Sequence, residues 1–200
     1  MSPVAATKTL MTAEEFYEWS LLPENESRCY ELVRGEVVES PLPKRIPGAV
    51  CGNIARILGN FTFQCHFGYI TTNDAGVILE RDPDTVRGPD VAIFDDATTF
   101  AELHPAYGEV PPILAVEVIT TDTKVKLLDA KIDDYLDNGV KIVWVVDPDS
   151  ETVRVYRPDM RAVTFKSEQD LEGGDVLPGF RCKVADFFVL SGKAPAKPTV

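Results

Sequence analysis

The chain has no Cys-x-x-Cys pair, only two histidines, no excess of basic residues and no long apolar run, and each absence removes a class of function. Cys29, Cys51, Cys65 and Cys182 are scattered, and Cys65-His66 alone is not a zinc spacing, so the thiols read as reduced and structural. His66 and His104 are too isolated to be metal ligands. With 20 Lys and Arg against 32 Asp and Glu, the net charge is -12, and such a surface repels polyanions. The deficit is uneven: Arg28, Arg34, Lys44, Arg45, Arg56, Arg81 and Arg87 balance the acids between residues 28 and 87, which leaves room for a local phosphate-facing patch. Residues 1 to 11 lack the charged start and apolar core of a secretory leader, and no run approaches the roughly 20 apolar residues of a membrane span. A cytoplasmic protein without membrane contact is expected. The acidic loop Arg81-Asp82-Pro83-Asp84 has no calcium-loop spacing and reads as a solvated turn, and there is no internal repeat.

What is present suits a globular fold. Two hundred residues with 44% apolar content can bury a core without staples, so one domain is expected over 12–190, between a flexible start at 1–11 and a small, Pro-rich, disordered tail at 191–200. Thr12 and Glu15 form a capping-box pattern for a short helix carrying Phe16, Trp19 and Leu22. The runs 30–33 and 36–39 about Arg34-Gly35 predict a β-hairpin. Val50, Ile54, Ile57, Leu58 and Phe61 predict a long helix over about 47–66, stopped near Gly68. Strands are expected at 69–72 and 77–79, paired about Asn73-Asp74-Ala75-Gly76, and again at 91–94 and 113–119. A second helix over about 122–138, capped by Thr121 or Asp122, carries Val125, Leu128, Ile132, Tyr135 and Leu136 as its stripe, while Asp129, Asp133 and Asp137 mark a solvent face. The apolar run 141–147 completes a parallel crossover, and 152–156 with 162–165 forms a hairpin extension. The fold class is therefore α/β, a central mixed β-sheet flanked by helices with β-hairpin additions. Trp144 and Tyr135 read as core.

Two carboxylates stand out. Asp90 sits at the mouth of one strand, and Glu117 interrupts the apolar strand Ile113-Leu114-Ala115-Val116-Glu117-Val118-Ile119. An ionised carboxylate in an apolar strand costs several kcal/mol unless something charged meets it. Alternation puts Glu117 on the face of Ala115 and Asp90 on the face of Ala92, so aligned neighbouring strands would bring the two acids together. Hard oxygen ligands with room for water suit Mg²⁺ or Mn²⁺, and such an ion could polarise a phosphate and activate water. On the second helix Lys131 lies at the edge of the buried stripe, where its ammonium can reach past apolar surface to an oxyanion. Lys124 falls on nearly the same edge, so the pattern leaves both open, whereas Lys126 faces solvent.

Several segments, in this order, carry a resemblance: Tyr30-Glu31-Leu32-Val33-Arg34-Gly35-Glu36, Val86-Arg87-Gly88-Pro89-Asp90-Val91, Ala115-Val116-Glu117-Val118-Ile119-Thr120, Lys131 followed by Tyr135, Gly139-Val140, Val143-Trp144-Val145-Val146-Asp147-Pro148 and Val176-Leu177-Pro178-Gly179-Phe180. Together they resemble the Uma-two family, in the PD-(D/E)XK or restriction-endonuclease-like superfamily of nucleases, over about residues 10 to 190. The resemblance implies a restriction-endonuclease-like core and a Mg²⁺- or Mn²⁺-dependent endonuclease acting on nucleic acid, DNA first; a homodimer is the assembly expected. It implies Asp90 and Glu117 as metal ligands, the main-chain carbonyl of Val118 as a third, and Lys131 as the catalytic lysine. The superfamily lysine usually lies two residues after the second acid; that position is Ile119 here, and the family pattern moves the cation to the helix. Many relatives carry a His before the long first helix, where this chain has Ile46-Pro47. Glu31 matches a recurrent Glu without an evident chemical role. The competing reading is a catalytically inactive nuclease fold that serves as an interaction or dimerisation module; an enzyme acting on a small phosphorylated ligand ranks third.

Overall fold

Thr12 opens the fold as its spacing to Glu15 foretells. In this computed structural model, which describes residues 10–40, 42, 44–123 and 125–190, the Thr12 hydroxyl accepts from the Glu15 amide and the Glu15 carboxylate accepts from the Thr12 amide, starting α1 (Ala13–Ser20). The expected flexible start and disordered tail fall largely outside the described residues. The hairpin of β1 (Cys29–Val33) and β2 (Glu36–Ser40) turns through Arg34 and Gly35, both left-handed at φ 48° and 75°, as a tight two-residue turn requires. Then α2 (Arg45–Cys65) buries Val50, Ile54 and Leu58. It begins ahead of Pro47, which stands in the first turn where a missing N–H costs nothing, and it ends on a left-handed His66 rather than at Gly68.

The next two strands do not pair with each other as expected. Asn73 and Asp74 are both left-handed, at φ 63° and 53°, and swing the chain between sheets. Consequently β3 (Tyr69–Thr72) and β4 (Val77–Glu80) part company. A strand that periodicity missed, β5 (Thr85–Arg87), takes β4 into a four-stranded sheet of order β2-β1-β5-β4. After it come β6 (Val91–Phe94), β7 (Leu114–Val118), α3 (Val125–Asp137), β8 (Ile142–Asp147), β9 (Thr152–Tyr156) and β10 (Val163–Lys166). These strands and β3 build the six-stranded sheet β10-β9-β8-β7-β6-β3, in which β7 and β8 are parallel and the other pairs antiparallel. The sheet is thus mixed, and the β7-α3-β8 crossover stands as expected.

Strand alternation divides the core between the two faces of this sheet. Val91, Ile93, Leu114, Val116, Ile142, Trp144 and Val146 pack with α2 and with Leu177, Phe180 and Phe187 from the C-terminal region. On the opposite face Ala115, Val143 and Val145 receive Ile132 and Tyr135 of α3. That helix starts later than its pattern suggests, because Thr120 and Thr123 bond each other in a turn and Asp122 pairs with Lys44. Val125 is accordingly 69% exposed and lies outside the stripe. Asp129, Asp133 and Asp137 do face solvent. A small hairpin of β11 (Asp170–Glu172) and β12 (Arg181–Lys183) follows. Among the described residues no helix is long and apolar enough to cross a membrane.

The acidic loop is more than a solvated turn. Asp84 is buried; one carboxylate oxygen accepts from the Ala13 amide and from Arg81, both at 2.8 Å, and the other from the Asp82 amide at 3.1 Å. It ties the start of α1 to the second sheet. We expect Asp84→Ala to cost about 1–3 kcal/mol, the penalty for stranding buried donors, in chemical denaturation; a solvated turn would lose less than about 0.5 kcal/mol.

Candidate active site

Register brings the two acids together. Val91 pairs with Val116 and Ala92 with Ala115, so the same antiparallel register carried one step further sets Asp90 opposite Glu117, on the face that α3 covers. Pro89 and Gly88 lead into this position, and an Asp90 carboxylate oxygen accepts from the Val118 amide at 2.6 Å. Val118, expected to contribute its carbonyl, therefore also anchors Asp90 through its N–H. Glu117 is the fourth of five residues in a strand that is buried throughout.

The cation comes from α3. Because Ile132 and Tyr135 dock on Ala115, Val143 and Val145, the neighbouring edge of the helix points Lys131 at the acids. Its ammonium lies 2.9 Å from Glu117 and 2.9 Å from Glu31 Oε1, and it donates to the Gly88 carbonyl at 3.0 Å. Tyr135, read as plain core, is buried but also touches the acid: its hydroxyl donates to Glu117 Oε1 at 2.8 Å. Lys124, the alternative lysine, lies outside the described residues, and Lys126 is exposed.

Glu31 belongs to the site, together with residues that sequence reasoning missed. Its second oxygen pairs with Arg87 at 2.8 Å, and the Gly88 amide donates to Oε1 at 3.0 Å. Arg87 in turn donates to Asp134 at 2.9 and 2.5 Å, and Arg34 reaches the other oxygen of Asp134 at 3.5 Å. Arg87 is thus not part of a phosphate-facing patch, and that patch is largely neutralised: Arg28 pairs with Glu39, Lys44 with Asp122, and Arg81 with Glu14, Asp84 and Glu109. Asp74 borders the site as well. A Cβ on Gly88 would run into the Asp74 carbonyl, so the β3–β4 loop presses directly on the segment leading to Asp90.

These placements shift protonation in a consistent sense. Burial, reinforced by the Asp90 and Glu31 carboxylates, pushes Glu117 up to about 8 against the pull of Lys131. Burial likewise raises Asp90, although the Val118 amide and Lys131 oppose it. Asp74 opens to solvent but is surrounded by enough protein that burial, with Glu31, raises it too. For Glu31 the desolvation cost is outweighed by Lys131, Arg87 and the Gly88 amide, which hold it below the usual carboxylate range. Burial works against the charge on Lys131, yet Glu117 and Glu31 more than compensate and raise it. Cys51 of α2 is pushed up to about 12 by burial and by the nearby Asp90, Asp74 and Glu117, which makes it an inert thiol.

Among the described residues no three His, Cys, Asp or Glu side chains form a ready-made cage for an ion. The donors expected from the sequence are two carboxylates and a main-chain carbonyl, all hard oxygens. That chemistry fits a divalent cation that keeps several waters, as Mg²⁺ does, and a second positive charge would offset the desolvation that raises both acids.

Comparison with known proteins shows a family and a fold. A family model, Uma2, described as "Putative restriction endonuclease", matches residues 13–185. Among solved structures, a putative nuclease belonging to DUF820 from Anabaena variabilis is similar, with a TM-score of 0.75 and 19% identity, covering 89% of this chain and 97% of that one. At that identity the likeness shows the fold, a mixed sheet flanked by helices. No curated protein matches the chain.

Arg87→Met should be the costliest single change in this network. Among the described residues, it takes from buried Glu31 one of its two cationic partners and leaves buried Asp134 only the more distant Arg34, so a loss of about 3–5 kcal/mol is expected in denaturant unfolding. Asp129→Asn, on the exposed face of α3, should change stability by less than about 0.5 kcal/mol.

Proposed function

Because the chain belongs to the Uma2 family, described as putative restriction endonucleases, we propose that it is a Mg²⁺- or Mn²⁺-dependent endonuclease hydrolysing phosphodiester bonds of nucleic acid, DNA in the first place. The observation that carries the reading is the apposition of Asp90 and Glu117 on one face of neighbouring antiparallel strands, with Lys131 against Glu117. A nuclease of this kind hydrolyses the ester by adding water to phosphorus and releasing a sugar oxygen.

In this reading Asp90, Glu117 and the Val118 carbonyl hold the cation. When bound, it polarises the phosphate and lowers the pKa of water. Asp90 is kept in place by the Val118 amide and Glu117 by the Tyr135 hydroxyl, so neither acid has to be ordered on binding. Lys131 supplies a fixed positive charge where negative charge develops on the phosphate oxygens. Ile119, two residues after Glu117, packs beneath α3 instead of supplying the lysine, which explains why the ammonium is delivered from the helix. A cytoplasmic setting and a homodimer complete the proposal.

One observation favours the competing reading of an inactive interaction module: the Lys131 ammonium pairs with Glu117, an acid that a metal ion would also claim. Calorimetry separates the two. Stoichiometric Mn²⁺ binding that is abolished in Glu117→Ala is expected for the nuclease, and no binding for the relic. In a metal-supplemented DNA cleavage assay, Asp90→Ala and Glu117→Ala should each lower the rate by about 10³-fold, since losing the ion removes several kcal/mol of transition-state stabilisation. Undiminished cleavage by the double variant contradicts the assignment.

A further inference from the structure

Resting on the metal-centre reading above, we propose that Glu31 is a positioning residue that holds the Lys131 ammonium in the site while Glu117 turns to a cation. An ammonium has three protons, and here three acceptors surround it: Glu117, Glu31 and the Gly88 carbonyl. None is left for a substrate oxygen. One of the three contacts has to open, and Glu117 is the acceptor that a cation would also claim.

Glu31 cannot be the one to leave. It is 8% exposed, sits in the paired strand β1, and is clamped by Arg87 and by the Gly88 amide. Arg87 is itself fixed by Asp134, three residues along α3 from Lys131. The result is an immobile anion whose one oxygen, Oε1, serves both Lys131 and the amide that leads into Asp90. With this anion in place the ammonium keeps a charged partner and a carbonyl when Glu117 withdraws, and its freed N–H points to where Glu117 was. With the anion neutralised, Glu117 becomes, among the described residues, the only carboxylate in contact with Lys131, and a metal ion must then break a full ion pair in a nearly dry site. Glu31 thereby sets how readily Glu117 can be given up.

The test is a double-mutant cycle read by Mn²⁺ calorimetry on the full chain, with thermal melts to confirm folding. Glu31→Gln should weaken Mn²⁺ binding about tenfold or more, the usual size of a change in groups that orient metal ligands. In a Lys131→Met background the same substitution should change affinity by less than about threefold, because no ammonium remains to compete for Glu117. Asp134→Asn removes the negative charge beside Arg87 without touching Lys131 and leaves an amide oxygen to accept from the guanidinium and keep it in place, so it should lower stability while leaving Mn²⁺ affinity within about threefold of the parent. Glu31→Asp, which keeps the charge but withdraws it from Lys131, should weaken binding in the same sense and serves if the Gln variant does not fold. An unchanged affinity in the Glu31 variants, an equal loss with and without Lys131, or an equal loss in Asp134→Asn overturns the proposal. Absence of Mn²⁺ binding in the parent chain overturns the metal-centre reading and this proposal with it, whereas Glu117-dependent binding that ignores Glu31 overturns this proposal alone.

Discussion

The burial of Glu117 in β7 is the constraint around which the site is organised. An ionised carboxylate there is costly to desolvate, and the chain meets the cost with one lysine and one tyrosine from a single helix face. That solution fixes the position of α3, whose docking in turn depends on the small Ala115 and the β-branched Val143 and Val145 beneath Tyr135. It also recruits a second ionic layer, because Lys131 faces Glu31, Glu31 faces Arg87, and Arg87 faces Asp134. Charge therefore alternates from the sheet centre outward to Arg34 at the surface. Such a lattice favours one arrangement of strands and helix over alternatives that would leave a buried charge alone.

The part of the site legible in the sequence is the part governed by local periodicity. A carboxylate inside a five-residue apolar strand announces itself, and period-two alternation alone predicts that Glu117 shares a face with Ala115. The helical stripe of Leu128, Ile132 and Tyr135 likewise places Lys131 at its edge. Arg87 and Asp134 were hidden because their partners lie 56 and 47 residues away, respectively, in the Glu31 and Arg87 pairs. A signal was present: Asp134 stands between Ile132 and Tyr135, off the Asp129, Asp133 and Asp137 face and three residues from Lys131, so it shares that lysine's edge. Arg87 ends a short strand in which every residue is buried, a place where arginine is found only with a partner.

The errors in reading the fold have a common origin. The pair expected of β3 and β4, the simple turn expected at Asp84 and the early start expected for α3 all assumed that neighbours in sequence satisfy one another. In each case a distant group does so instead: β3 goes to β6, Asp84 to Ala13, and Asp122 to Lys44. The same tendency neutralises most of the basic residues between positions 28 and 87. A chain of net charge -12 with few unpaired cations near its acids would depend on the bound ion, more than on a basic surface, to bring in a polyanion.

The most direct test of this account is anomalous diffraction from crystals of the protein soaked in Mn²⁺. The account predicts one manganese peak between the carboxylates of Asp90 and Glu117, with the Lys131 ammonium still held by Glu31 and the Gly88 carbonyl. A manganese peak elsewhere, or none while Lys131 remains on Glu117, would contradict it.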